Sequence, residues 1–310
     1  MLEVFLTVAT AYLLKSLKVF SEEHARVLIN YVLYFSLPTL AFKVAYNLGF
    51  SKEVLLVGFS AWLVITFTLC VSFVVGKALR LSSSDLRSFI VSSAFGNTAF
   101  LGYPYSFSFY GEGGLHYAVI YDSVGSFLAV SSIGFFVLSG RLNLKQVLTF
   151  PPFLGLLSGF LLRPLQLPAE FLKFVEFVSA SLLPVVLFSL GLSFNLSVVG
   201  RSVRFIALVL FIKMLLSPFV ALMLLKALPL EPLAYKVAVL ESAMPTMITA
   251  SLLVAKFGLN VSLAIASASL GILSSFLILP LWVFLLERCN FAEILQQPSC
   301  LRDIAGHNWA

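Results

Sequence analysis

The chain has 310 residues, 60% of them hydrophobic and only 11% charged, with a net charge of +6 and a mean hydropathy of +1.03. Soluble domains carry about 25% charged residues, so this composition excludes a water-soluble globular protein: so large an apolar core would have no polar skin. The basic balance does not point to nucleic acid, because Lys and Arg beside membrane spans ordinarily mark the cytoplasmic side.

The first apolar segment, Met1 to Leu14, has neither a basic start nor a small-residue cleavage site and reads as a transmembrane helix rather than a signal peptide. A bilayer core of about 30 Å asks for about 20 apolar residues per helix. On that measure helices are predicted near 2–19, 26–45, 54–79, 87–109 and 115–139, then near 147–163, 171–194, 203–227, 233–256 and 261–286. The polar stretch from Glu287 to Ala310 lacks periodicity and is expected to be a disordered tail. Cys70, Cys289 and Cys300 match neither a metal cluster nor a disulfide framework. Cys70 reads as a small apolar side chain within a span.

The two sets of five spans resemble each other. "LPTLAF" (Leu37–Phe42) and "LPVVLF" (Leu183–Phe188) coincide at an offset of 146, as do "SVG" (Ser123–Gly125) and "SLG" (Ser269–Gly271). "SAFGNT" (Ser93–Thr98) and "SAMPTM" (Ser242–Met247) coincide at 149. The expected fold is therefore an all-α membrane protein of ten helices, with one five-helix repeat over 1–140 and a second over 147–286. An odd number of spans per repeat inverts the second copy. Eleven Lys and Arg fall on the face holding the 1–2, 3–4, 5–6, 7–8 and 9–10 loops, against eight on the other. Both termini are thus expected outside the cell membrane, with the short 5–6 loop in the cytoplasm.

The fourth span contains "AFGNTAFLGYP" (Ala94–Pro104), an unusual choice for a membrane helix. Glycine and proline weaken helical hydrogen bonding, and a buried asparagine needs a partner. At the offset of 149, Gly96 corresponds to Pro245 and Asn97 to Thr246. Gly- or Pro-interrupted helices at matching positions of inverted repeats point to a transporter's binding site. Gly96, Gly102, Pro104, Met244 and Pro245 are read as the breaks, with Asn97, Thr98 and Thr246 as substrate-binding side chains. Half-helix N-termini at such breaks suit a carboxylate. Pro38, Pro184, Pro218 and Pro280 read as ordinary kinks, and Gly102 also suits close helix packing. Asp122, Glu241 and Lys213 lie within spans and are candidates for coupling or gating, or for pairing that holds the bundle together. His24, His116 and His307 form no H-E-x-x-H pair and no Walker A motif is present, so neither catalysis, a metal, a cofactor nor direct ATP drive is indicated.

Three stretches resemble the auxin efflux carrier family of membrane transporters. They are "SEEHARVLINYVLYFSLPTLAFKVA" from Ser21, "GNTAFLGYP" from Gly96 and "LESAMPTMITASLLVAKFG" from Leu240. The resemblance implies a scaffold of helices 1, 2, 6 and 7, with a dimer surface, and a transport domain of helices 3–5 and 8–10. It also implies elevator-type transport of small organic anions such as carboxylates or auxin-like acids. Gly96 departs from the proline usual in plant carriers, and the short 5–6 loop resembles small prokaryotic members, which weakens any transfer of auxin as substrate. The competing readings are a sodium- or proton-coupled symporter or exchanger of the same plan, and a membrane receptor that binds without transporting.

Overall fold

The computed structural model describes residues 2–49, 51–141, 149–193 and 203–288. Regular structure among them is helical throughout, apart from one isolated β-bridge. Among the described residues, six helical runs are long and apolar enough to cross a membrane: Glu23–Leu48, Lys52–Ala78, Thr98–Ser139, Ala169–Ser193, Val203–Ala227 and Val261–Glu287.

In chain order the helices are α1 (Leu2–Ser16), α2 (Glu23–Leu48), α3 (Lys52–Ala78) and α4 (Ser83–Ala94). The run Thr98–Ser139 is divided at Gly111, whose φ of 64° and ψ of −155° end one helix and start another. A side chain would be strained in that conformation. We call the two parts α5 (98–110) and α6 (112–139). There follow α7 (Pro151–Leu162), α8 (Ala169–Ser193), α9 (Val203–Ala227), α10 (Pro232–Ser242), α11 (Ile248–Lys256) and α12 (Val261–Arg288).

Local chemistry sets most of these boundaries. Ser51 and Ser82 cap α3 and α4 by accepting from the amides of Val54 and Asp85. Pro151, Pro152 and Pro232 occupy first-turn positions, where no amide hydrogen is needed. Gly49, Gly140 and Gly258 follow helix ends with positive φ. Widened π turns at Val32–Ser36, Thr98–Gly102 and Phe211–Leu216 each precede a proline, Pro38, Pro104 and Pro218 in turn. Proline has no amide hydrogen and its ring crowds the carbonyl four residues back, which a wider turn relieves.

The molecule is turned inside out relative to a soluble protein. Large apolar side chains such as Phe59, Phe67, Val74, Phe177 and Leu277 face outward, whereas Ser60, Thr68, Ser72, Ser92, Asn97, Asp122 and Glu241 are buried. That distribution fits a lipid surround. Cys70 lies in the α3 span as expected, but on its exposed face.

Two sets of contacts organise the helices. α1 runs along α8 and α7 along α2. The backbones approach closely because Gly191 faces the Val8 carbonyl and Ala11, while Gly155 and Gly159 face the Pro38 and Phe42 carbonyls. In the second set, α3 packs on α4, α6 and α10, and α12 packs on α4, α9 and α11.

One expectation is corrected here. The tail does not begin at Glu287: α12 continues through Arg288, and both Glu287 carboxylate oxygens accept from Lys236 Nζ at 2.8 Å. The partner on α10 keeps the last turn in register. Residues 289–310, with Cys289, Cys300 and His307, lie outside the described residues, as do Lys145 and Arg201.

Candidate functional site

The stretches around Gly96 and Pro245 meet in the interior. The helical run stops at Ala94 and resumes at Thr98; a second stops at Ser242 and resumes at Ile248. Between them lie extended residues, with Phe95 at φ −99°, ψ 117° and Met247 at φ −65°, ψ 128°. Gly96 and Thr246 form an antiparallel bridge. The Asn97 amide donates to the Pro245 carbonyl at 2.7 Å, and the Met247 amide donates to the Phe95 carbonyl at 3.0 Å. Backbone groups freed from helical bonding are thus paired across the gap, the only affordable outcome where water is scarce. The hydrogen-bonded register sets Gly96 opposite Thr246.

Two helix C-termini end beside the bridge, and each receives a donor. The Thr246 hydroxyl donates to the Ser92 carbonyl at 2.8 Å, closing the end of α4. Lys213 Nζ donates to the Ser242 carbonyl at 2.5 Å, closing the end of α10. A cation at a helix C-terminus is favoured by the exposed carbonyl dipoles. The lysine is held against the bridge: a Cβ on Gly96 would stand 2.8 Å from Lys213 Cε and 3.1 Å from the Met244 carbonyl oxygen. Gly96 is needed for space, not for an unusual φ.

The acidic residues occupy different surroundings. Asp122 sits on a π turn of α6 (Tyr121–Ser126) and is 2% exposed. Its Oδ1 accepts from the Thr98 hydroxyl at 2.5 Å and its Oδ2 from the Tyr103 hydroxyl at 3.0 Å. Glu241, on the last turn of α10, is fully buried. Its Oε1 accepts from Ser106 at 2.8 Å, its Oε2 has no hydrogen-bond partner, and its carboxylate lies against Gly102, where a Cβ would collide with it. Lys213 and Glu241 interact electrostatically without forming an ion pair among the described residues. Asn97 is also buried, and its Nδ2 has no hydrogen-bond partner among the described residues.

Two cavities are walled in part by the broken helices. One, of about 410 Å³, is lined by Leu33, Tyr34 and Leu37 of α2, by Ala99 and Phe100 after the first break, by Met247 at the second, and by Asp122, Ser131 and Lys256 among others. The other, of about 360 Å³, lies between α1, α2 and α8 on one side and Pro104, Phe107, Ser108 and Glu112 on the other. At its rim Lys43 pairs with Glu176 at 2.7 Å. His116 is partly covered there, 3.8 Å from Glu112.

The structure therefore brings Gly96, Asn97, Thr98, Thr246, Met244, Pro245 and Lys213 together at one crossing. Asp122 and Met247 adjoin the larger cavity, Pro104 lines the smaller, and Gly102 and Glu241 lie behind the break, lining neither. Sequence reasoning missed Tyr103, Ser106 and Lys256. A tyrosine inside a span was a usable signal, because a buried phenol needs a partner. Ser106 and Lys256 gave none, since their roles depend on residues 135 positions away and on a cavity wall, respectively.

Comparison with known proteins bears on what such a crossing serves. The family model described as membrane transport protein matches residues 1–144 and 135–283. An uncharacterized transporter of Methanothermobacter thermautotrophicus is 28% identical over 289 residues, covering 91% of this chain and 95% of that protein. An uncharacterized transporter of Methanocaldococcus jannaschii is 29% identical over 299 residues, covering 91% of this chain and 96% of that protein. With several apolar helices long enough to span a bilayer and a family match across both halves, the chain belongs to the membrane transport protein family, that of the auxin efflux carriers, and is a multi-pass membrane protein.

Proposed function

We propose that the protein is a secondary carrier of small organic anions that works by elevator-type alternating access. In this reading ten spans form two inverted five-helix repeats, with α4–α5 and α10–α11 as the broken crossover helices. The observation that carries it is the hydrogen-bonded meeting of the two breaks beside the larger cavity. The scaffold would comprise α1, α2, α7 and α8, and the transport domain α3–α6 and α9–α12. In support, α1 packs on α8 and α7 on α2, and each cavity is walled by α2 on one side and by broken-helix residues on the other. Asn97 with its free Nδ2, Thr98 and the half-helix N-termini at Thr98 and Ile248 are the groups we assign to a carboxylate. Thr246 contributes by holding the crossing together, since its hydroxyl is engaged by Ser92. We place the protein in the cell membrane with both termini outside, and assign its dimer surface to the scaffold helices.

Flux into proteoliposomes of labelled acetate, succinate, malate and indole-3-acetate tests the reading. Uptake or exchange of at least one is expected; none across a broad carboxylate panel would overturn it. A second reading, ion-coupled symport or exchange on the same plan, is favoured by the buried carboxylates of Asp122 and Glu241. Dependence of flux on an imposed sodium or proton gradient separates the two. Binding with no flux would instead favour a receptor.

A further inference from the structure

An acid in the wall of an anion carrier's cavity raises a difficulty: Asp122, as a carboxylate, would repel the substrate at the point where Thr98 should attract it. The hydrogen bonds show how both demands are met. In the described arrangement the Thr98 hydroxyl hydrogen is spent on Asp122 Oδ1, so Thr98 has nothing to donate to a second anion. Resting on the carrier reading above, we propose that Asp122 is a proton site, and that filling it transfers the Thr98 hydroxyl from Asp122 to the substrate. The bookkeeping is simple. A proton from solvent in the larger cavity, which Asp122 lines, binds Oδ1, the new carboxyl O–H donates to Thr98 Oγ1, and the Thr98 hydrogen is released to turn to the substrate that we place beside the buried Asn97 Nδ2. When the anion leaves, the proton returns to solvent and Thr98 turns back. Proton and anion thus move together.

The surroundings single out Asp122 for this task. Its α6 turn lines the cavity, whereas Glu241 lines neither cavity described. Both Asp122 oxygens already face hydroxyl hydrogens, an arrangement that accommodates a proton with rotation of one hydroxyl but would have to be dismantled around a larger cation. The titratable and charged groups facing it are Tyr103 on α5, Tyr34 on α2 and Lys256 on α11 across the cavity, and Glu241 on α10, which itself faces Lys213 on α9. α3, packed along α6, carries its charged residues only at its ends, at Lys52, Glu53 and Lys77. Asp122 also sits on a π turn, a feature frequent at functional sites.

The sign of the linkage follows. Protonation removes the negative charge and frees a donor, so anion affinity should rise as pH falls and level off once Asp122 is protonated in both free and bound states. The first test uses the proton alone as probe: infrared difference spectra of the full chain in nanodiscs, titrated with acid. A carboxyl carbonyl band should grow as pH falls, be absent from Asp122→Asn, persist in Glu241→Gln, and shift in Thr98→Val, which removes its hydrogen-bond partner. A band unchanged in Asp122→Asn, or unmoved in Thr98→Val, would overturn the proposal. The second test measures proton uptake on adding succinate or indole-3-acetate to weakly buffered protein, where about one proton per bound anion is expected and none in Asp122→Asn. Anion binding without proton uptake, or with a requirement for sodium instead, would also overturn it. Failure of every carboxylate to bind would sink the carrier reading, whereas the infrared titration judges the proton site independently.

Discussion

Replacing Gly96 with Ala tests the packing at the crossing directly, because the structure and a propensity argument give opposite signs. Ala exceeds Gly in helix propensity by about 1 kcal/mol, which from sequence alone predicts a stabilised, continued helix. Gly96, however, lies in the extended bridge, where that gain does not apply. The added methyl would stand 2.8 Å from Lys213 Cε and 3.1 Å from both Lys213 Nζ and the Met244 carbonyl oxygen. Carbon atoms prefer about 3.5–4.0 Å, so something must yield. The Met244 carbonyl belongs to backbone held by the neighbouring bridge bonds, which leaves the lysine. Overpacking of this kind costs about 1–3 kcal/mol. If the ammonium then loses the Ser242 carbonyl, a hydrogen bond to a charged group worth about 1.5–3 kcal/mol goes with it. Destabilisation of about 1–3 kcal/mol is expected from overpacking alone, rising to roughly 2.5–6 kcal/mol if that hydrogen bond is lost as well. Thermal unfolding of the parent, Gly96→Ala, Lys213→Ala and the double variant in one detergent measures it. Contact between the two sites predicts that the double variant loses less than the sum of the singles, by about 1 kcal/mol or more. Parental stability of Gly96→Ala, or strict additivity, would refute the reasoning.

Asn97→Ala should fold normally and bind the transported anion more weakly by about 0.5–1.5 kcal/mol, the worth of one neutral hydrogen bond, as read by titration calorimetry. Glu241→Gln should lower the unfolding temperature while any remaining transport keeps its pH profile, because Glu241 packs behind the break with Ser106 and Gly102 and lines neither cavity; a displaced pH profile at parental stability would make it a coupling group instead. Pro245→Ala places an extra backbone donor in the same extended crossing, where helix propensity gives no gain, so paired stability and flux assays should show impaired transport with stability no higher than the parent's. Full transport by that variant would reduce the break to a packing kink.

The sequence by itself determined that this chain lives in a membrane and where two of its apolar segments fail as helices. Those features are local: composition, run length and the absent amide hydrogen or Cβ act within a few residues of themselves. The approximate positions of α2, α3, α8, α9 and α12 were legible for the same reason, as was the prominence of Gly96, Asn97 and Pro245. Their relationship was not. Whether Thr98 donates to Asp122, 24 positions along, or Lys213 to the Ser242 carbonyl, 29 positions along, depends on how separate helices cross. The register at the bridge shows the limit well: the 149-residue offset says which positions of the two repeats correspond, but only paired amides and carbonyls set Gly96 opposite Thr246. The division of labour between the two buried acids is likewise tertiary. Asp122 and Glu241 read alike in sequence, and packing alone set one in a cavity wall between two hydroxyls and the other behind the crossing against Gly102. A side chain's chemistry is written locally, but what it faces is decided by distant segments that must pair every buried polar group they can once water is gone.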